Sequence, residues 1–263
     1  MPHQLVDIGV NLTNKAFRED LDQILDRAKQ SGVIKMVATG TRVEASWDAY
    51  ELAKKHPGVV YSTAGVHPHH ASDCDDKTIG ELRELCSREQ VVVVGECGLD
   101  YNRNFSPPDV QRRWFEEQLR LAVELQLPVF MHERDAHGDF MAILSKYRGQ
   151  LPRAVIHCFT GTGDVLDAYL ELDLHIGITG WICDERRGTH LRDIVDRIPA
   201  DRLMIETDAP YLLPRSMRPK PKKRRNEPSY LSHVLEAVSE CVGRPTEQVA
   251  RETTATADAF FSI

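Results

Sequence analysis

Apolar and polar positions alternate between two regimes along the chain. Short apolar runs rich in β-branched residues recur at Leu5–Val10, Ile34–Gly40, Val59–Val66, Val91–Cys97, Pro128–Met131, Ala154–Cys158, Leu174–Thr179 and Arg202–Thr207. Runs of this kind predict buried strands. Between them apolar residues return at helical spacing, as in Phe17, Leu21, Ile24, Leu25 and Ala28, or Trp114, Phe115, Leu119, Leu121, Ala122 and Leu125. Helices of this kind between buried strands make parallel βαβ units. Eight units in 263 residues predict an α/β fold, the (β/α)8 or TIM barrel, whose closed sheet leaves no exposed edge. A doubly wound open sheet is the rival. A dinucleotide-binding sheet of that type opens with G-x-G-x-x-G after its first strand, where this chain reads Asp7-Ile8-Gly9-Val10-Asn11.

No internal repeat and no Gly/Ser linker interrupts the pattern, so residues 1–263 are expected to form a single domain. The one break in composition is the Pro-rich, basic segment Pro214–Pro228, which precedes two terminal helices. With 41% hydrophobic and 28% charged residues the chain is globular rather than disordered. No apolar run reaches the roughly 18 residues of a membrane span, and the first ten residues lack a signal-peptide pattern, so a cytoplasmic protein is expected. Six cysteines without any C-x-x-C pair are expected to be free thiols, which leaves His, Asp and Glu as the candidate metal ligands. The net charge of −7 argues against unspecific coating of nucleic acid. Against it stands a local run of seven basic residues, Arg215, Arg218, Lys220, Lys222, Lys223, Arg224 and Arg225, with no acidic residue among them.

Candidate chemistry falls at the strand ends. His67 follows strand three, Glu96 lies at the end of strand four, His132 follows strand five, His157 ends strand six and Asp208 follows strand eight. In a closed barrel these carboxyl ends converge on one mouth. A single histidine or aspartate there is more often a cap or a satisfied polar residue than a ligand. Five ionisable groups ending five apolar strands would bury charges side by side, which is costly unless a cation compensates. Imidazoles and carboxylates together suit a divalent ion. Glu206 competes with Asp208 and is expected one layer deeper; His69 is a further residue that could face the mouth. Gly161 and Gly163, after strand six, fit a tight turn at least as well as a phosphate loop.

The stretches Ala64-Gly65-Val66-His67-Pro68-His69, Gly95-Glu96-Cys97-Gly98-Leu99-Asp100-Tyr101, Pro128-Val129-Phe130-Met131-His132, His157-Cys158-Phe159-Thr160-Gly161 and Glu206-Thr207-Asp208-Ala209-Pro210-Tyr211-Leu212 resemble the TatD-type metal-dependent deoxyribonucleases, in order and across nearly the whole chain. Asn102-Arg103-Asn104-Phe105 and Cys183-Asp184-Glu185-Arg186-Arg187 resemble the TatD branch in particular. The resemblance implies a barrel nuclease that removes nucleotides from the 3′ end of single-stranded DNA or RNA, with Mg2+ as the ion and Mn2+ as its substitute. It implies Glu96, His132, His157 and Asp208 as metal ligands and His67 beside the scissile phosphate, with His67 and Asp208 as the catalytic pair. The H-x-H pair that opens most of the wider family is replaced here by Gly9 and Asn11, which removes two imidazoles from a second metal position. The chain is expected to act as a monomer, independent of membranes. The basic segment, which follows strand eight directly, is expected to hold flanking phosphates. The alternatives are an amidohydrolase-like barrel acting on a small amide or ester, and a nucleic-acid-binding scaffold with a vestigial metal site.

Overall fold

The computed structural model describes residues 2–221 and 224–263. Among them the eight strands are β1 (Leu5–Val10), β2 (Val33–Ala38), β3 (Val60–Ala64), β4 (Val91–Asp100), β5 (Val129–Arg134), β6 (Ala154–Ile156), β7 (His175–Ile178) and β8 (Leu203–Ile205). The α-helices are α1 (Leu21–Gln30), α2 (Val43–Lys55), α3 (Thr78–Cys86), α4 (Pro108–Leu125), α5 (His137–Leu144), α6 (Gly163–Glu171), the single turn α7 (Thr189–Arg192), α8 (Leu231–Val242) and α9 (Thr246–Phe261). All strands join one sheet in the order β1 to β8, and the pairs β3–β4, β4–β5, β5–β6 and β7–β8 are parallel. This order, with a helix after each strand, is the (β/α)8 barrel read from the sequence.

The contacts divide into two compact units, one with residues up to Val37, Cys158–Leu166 and His175–Ile263, the other with Ala38–His157 and Asp167–Leu174. In the first, α9 lies on β1 and β8 and buries Val249, Ala250, Ala257, Phe260 and Phe261. There the chain after β8 returns to β1, for the N–H of Asp208 donates to the Gly9 carbonyl at 2.9 Å and that of Asn11 to the Ala209 carbonyl at 2.8 Å. In the second, α4 lies on β4. Pro108 opens α4, where a missing N–H costs nothing, and the helix stops at Gln126 in the left-handed conformation. Its inner face buries Trp114, Phe115, Leu119, Leu121 and Ala122, with the Phe115 ring stacked on Phe140 at 5.0 Å. Two glutamines, Gln111 and Gln118, are buried in the same apolar face. Burying a side-chain amide without partners costs on the order of 1–3 kcal/mol, so their partners matter below.

Strand ends depart from the sequence pattern in two ways. β4 runs on to Asp100 and β5 to Arg134, beyond the apolar runs, because each continues to pair with the other through Asp100 and Arg134. β6 and β8 are three residues each, so His157 and Asp208 lie past the strands. No disulfide joins the six cysteines, as expected.

Candidate metal centre

Glu96 is placed by an irregularity in β4. All ten residues of that strand are buried, and its register against β5 shifts between Gly95 and Cys97. Gly95 and Gly98 have φ of +137° and +140°, and a Cβ on either would collide with the carbonyl oxygen of Phe130 or of His132. Glycine alone allows so close an approach in that backbone conformation. The shift leaves Glu96 with 6% of its surface exposed, its N–H donating to the Gly40 carbonyl at 3.0 Å.

Three imidazoles converge on one oxygen of that carboxylate. Glu96 Oε1 is 2.7 Å from His157 Nε2, 3.2 Å from His67 Nε2 and 3.4 Å from His132 Nδ1. His67, Glu96 and His132 offer ligand atoms that all lie within 4.8 Å of one another. Burial works against the charged carboxylate, but His157 and His67 beside it hold the Glu96 carboxyl well below the usual range. His132 Nε2 is buried and makes no hydrogen bond, its nearest charged neighbour being Asp100 Oδ2 at 3.6 Å. An imidazole nitrogen without a hydrogen bond, set between two ionised and buried carboxylates, is what a divalent cation would satisfy. The donor set therefore fits a metal.

The backbone fixes the tautomer of His67. Its Nδ1 accepts the backbone N–H of His69 at 3.1 Å, within a 3₁₀ turn over Pro68–Asp73. Burial pushes its pKa down to about 4, so near neutrality the ring is uncharged. A neutral imidazole that accepts at Nδ1 carries its proton on Nε2, the atom facing Glu96. His67 is thus a hydrogen-bond donor into the cluster, facing the same Glu96 oxygen that His157 Nε2 approaches at 2.7 Å.

Asp100 extends the cluster, and the sequence pattern did not single it out. Its Oδ2 is 2.6 Å from His69 Nε2 and 3.6 Å from His132 Nε2. Its Oδ1 accepts the N–H of Asn102 at 3.0 Å and of Arg103 at 2.9 Å. Burial opposes ionisation, yet the His132 and His69 imidazoles and the Arg103 N–H hold the Asp100 carboxyl well below its ordinary value. The buried glutamines of α4 fix the backbone under these groups. Gln111 accepts the Asp100 N–H at 2.9 Å and donates to the carbonyls of Asp100 and Ser106 at 3.1 and 2.7 Å. Gln118 does the same for Val66, next to His67. Seven residues apart, the two amides occupy one helix face two turns apart. That spacing is the signal by which the sequence could have revealed them.

Asp208 belongs to the other compact unit, and its surroundings are those of the first strand. Asp208 Oδ1 accepts from Asn11 Nδ2 at 3.0 Å, so the amide's donor end faces it rather than its carbonyl. Asp7, fully buried in β1, accepts the Thr207 N–H at 2.9 Å, the Thr207 hydroxyl at 2.5 Å and the Gly9 N–H at 3.4 Å. The Thr207 hydroxyl in turn accepts the Ala209 N–H at 3.2 Å. Burial pushes the Asp7 carboxyl up to about 7. Glu206 is fully buried and accepts the Cys158 N–H. β8 ends at Ile205 and Asp208 has φ +51°, so the two-residue period stops before either carboxylate. Gly161 and Gly163 are filled by packing, since a Cβ would meet the Phe159 ring at the one and the Arg197 guanidinium at the other.

The basic segment is less available to phosphate than its composition suggests. Arg225 bonds Asp20 at 2.7 and 2.8 Å and Glu227 at 2.7 Å, with 11% of its side chain exposed. Arg215 pairs with Glu185 at 3.1 Å, and Arg218 donates to the carbonyls of Arg215 and Met217. Lys220 and Arg224 are exposed. Lys222 and Lys223 lie outside the described residues.

A parallel barrel with a histidine and carboxylate cluster at its strand ends defines a hydrolase fold of the metal-dependent type. The family model described as TatD related DNase matches residues 6–262, so the chain belongs to the TatD family of nucleases. It is 51% identical over 259 residues to a protein of Erwinia billingiae named 3′-5′ ssDNA/RNA exonuclease TatD, covering 98% of this chain and 99% of that one. A protein of the same name from Dickeya dadantii is 52% identical over 257 residues, covering 98% and 97%. Among solved structures, a TatD homolog from Escherichia coli K12 superposes with a TM-score of 0.91 at 27% identity over 100% of both chains. An N-acetyl-D-glucosamine-6-phosphate deacetylase from Mycobacterium smegmatis, 12% identical with a TM-score of 0.63, covers 99% of this chain and 76% of that one and shares the fold alone.

Proposed function

We propose that this chain is a metal-dependent 3′-5′ exonuclease that hydrolyses single-stranded DNA and RNA and releases 5′-mononucleotides. The observation that carries the reading is the convergence of His67, His132 and His157 on Glu96 Oε1, with His132 Nε2 making no hydrogen bond. Glu96, His132 and His157 would hold the ion, and Asp208 is assigned to the same centre on the strength of its T-D-A-P motif. Mg2+ or Mn2+ is the ion we assign to this donor set, because Gly9 and Asn11 bring no imidazole and leave positions for carboxylate and water oxygens. When bound, such an ion supplies Lewis acidity at a phosphoryl oxygen and lowers the pKa of water.

The chain's own groups then have distinct tasks. Release of a 5′-mononucleotide breaks the bond between phosphorus and the 3′ oxygen of the penultimate residue. Asp208, held by the Asn11 amide, would orient the attacking water and take its proton. His67, with its proton fixed on Nε2, would donate to a phosphoryl oxygen or to the departing 3′ oxygen. Exposed Lys220 and Arg224 would contribute to binding of flanking phosphates. Among the described residues no helix is long and apolar enough to cross a membrane, and we place the enzyme in the cytoplasm as a monomeric single domain.

The test uses single-stranded DNA labelled at either end. Magnesium-dependent release of mononucleotides from the 3′ end is expected, abolished by Glu96→Ala without a change in far-ultraviolet dichroism. Binding without cleavage would instead support a scaffold, and neither binding nor cleavage would support an enzyme of small amides or esters. A Glu96→Ala enzyme that keeps most of its rate at saturating magnesium would remove Glu96 from the centre.

A further inference from the structure

Large apolar side chains are rarely left in water on a loop that is otherwise tied down. Three large hydrophobic residues are exposed among those described, and Phe105, at 66%, is the most exposed. Its loop is fixed on both sides. Asp100 receives the N–H groups of Asn102 and Arg103 at its start, and Asn104, in the left-handed conformation, donates to the Tyr101 carbonyl at 2.7 Å. Ser106, fully buried, donates to the His69 carbonyl at 3.2 Å, accepts the Ser72 N–H at 3.0 Å and has its own carbonyl held by Gln111. The backbone therefore presents the ring outward rather than letting it fold away. The contact on its inner side is the edge of His69, with centroids 4.8 Å apart, and His69 in turn stands edge-on to His67 at 4.2 Å. Phe105 is thus an unburied aromatic two ring contacts from the imidazole that donates into the cluster.

We propose that Phe105 is a stacking platform for a nucleobase near the 3′ end of the substrate strand, so that it takes part in recognition of unpaired bases in addition to the phosphates. The proposal rests on the single-strand exonuclease reading and deepens it. A base within a duplex already has stacked neighbours on both faces, whereas an unpaired base offers a free face to a rigid ring. Stacking on an aromatic is tolerant of base identity, which suits an enzyme that must accept successive nucleotides. The loop is already ordered, so binding does not have to meet the entropy of fixing it.

The experiment compares the full-length protein with Phe105→Ala and Phe105→Trp on single-stranded oligonucleotides carrying an abasic residue at each of the last three positions in turn. Stacking on one base is worth about 1–3 kcal/mol, or roughly ten-fold at its lower-middle range. Phe105→Ala is expected to lower kcat/KM about ten-fold on the all-base strand, mainly through KM, with an unchanged melting temperature. That penalty should vanish when the abasic residue occupies one of the three positions, and Phe105→Trp should restore the wild-type value. A loss that persists at all three positions, or no loss on the all-base strand, overturns the proposal. If the wild type releases no nucleotides, the exonuclease reading fails by itself. Fluorescence of 2-aminopurine placed at the same positions, read in EDTA, then decides the platform separately. Quenching by the wild type and not by Phe105→Ala supports it, and equal quenching by both sinks it.

Discussion

Gln118 grips both backbone polar atoms of Val66, its Oε1 accepting the N–H at 2.7 Å and its Nε2 donating to the carbonyl at 3.0 Å. The next residue is His67, so a side chain on α4 sets the height of the proposed catalytic imidazole just past β3. Removing the amide strands a buried donor and a buried acceptor, each costing on the order of 1–3 kcal/mol. Gln118→Ala should lower stability by about 3 kcal/mol and reduce kcat more than it raises KM, because the lost precision falls on the reacting groups. Chemical denaturation and steady-state kinetics on one preparation check both parts. A kcat equal to wild type would confine Gln118 to packing.

Arg225 separates two meanings of a basic residue. Exposed ion pairs are worth about 0–1 kcal/mol, and breaking buried ones costs about 3–5. Its side chain is 11% exposed, with Asp20 and Glu227 at 19% and 10%, which places it toward the costly end. Arg27 remains beside both carboxylates at 3.5 and 2.8 Å and softens the loss. Arg225→Ala is therefore expected to cost about 2 kcal/mol, lowering Tm by roughly 4–8 °C. Its dependence of DNA affinity on salt should stay as in wild type. Replacing Lys220 and Arg224 by Ser should instead leave Tm unchanged and flatten the plot of log affinity against log salt by about 0.7 for each phosphate no longer neutralised. Arg225→Ala flattening the plot while leaving Tm intact would reverse the two roles.

Asp7 predicts a pH dependence of stability. Its carboxyl has an ordinary pKa of 3.8 and is pushed to about 7 in the folded chain, chiefly by burial. The folded state therefore binds the proton more tightly than the unfolded state. The stabilising contribution is complete below about pH 3.8 and is lost as pH rises through about 7. Relative to Asp7→Asn, which cannot titrate, the wild type should lose stability between about pH 4 and pH 7, by at most about 1.4 kcal/mol per pH unit. Above about pH 8 the two denaturation curves should run parallel. Parallel curves over the whole range would mean that the Thr207 hydroxyl and N–H keep Asp7 ionised.

The strands and the ligand candidates were legible because each obeys a local rule. A buried parallel strand is mostly apolar, and a polar residue that ends its apolar run stands out, as His67, Glu96, His132 and His157 do. Gln111 and Gln118 share a helix face by their spacing, but what they and Asp7 hold is set by partners on other elements. Asp100 lies within a recognisable motif yet has no role legible there, since its meaning comes from His69 and His132, which the sequence does not place. The charge of the basic run was legible and its pairing was not. Arg225 finds Asp20 across more than two hundred residues, a contact that only the closure of the chain back toward β1 creates.

The hydrogen bond from Asn11 Nδ2 to Asp208 Oδ1 bears on which metal the protein carries. In the wider family the first-strand pair is H-x-H, and here Gly9 and Asn11 supply no imidazole. An amide donor stabilises the Asp208 carboxylate without adding an imidazole, so the proposed centre would keep the carboxylates of Glu96 and Asp208 and the imidazoles of His132 and His157. Oxygen-rich coordination completed by water suits magnesium or manganese, and a dense histidine site suits zinc. The protein purified without chelator is expected to hold little zinc, to lose activity in EDTA and to regain it with millimolar Mg2+ or Mn2+. Asn11→His restores one imidazole and removes the amide donor. It should tighten zinc binding measured by calorimetry while lowering the magnesium-supported rate, because Asp208 then loses the group that orients it. Elemental analysis of the untreated protein is the direct check, and two equivalents of tightly held zinc would defeat the inference from the first strand.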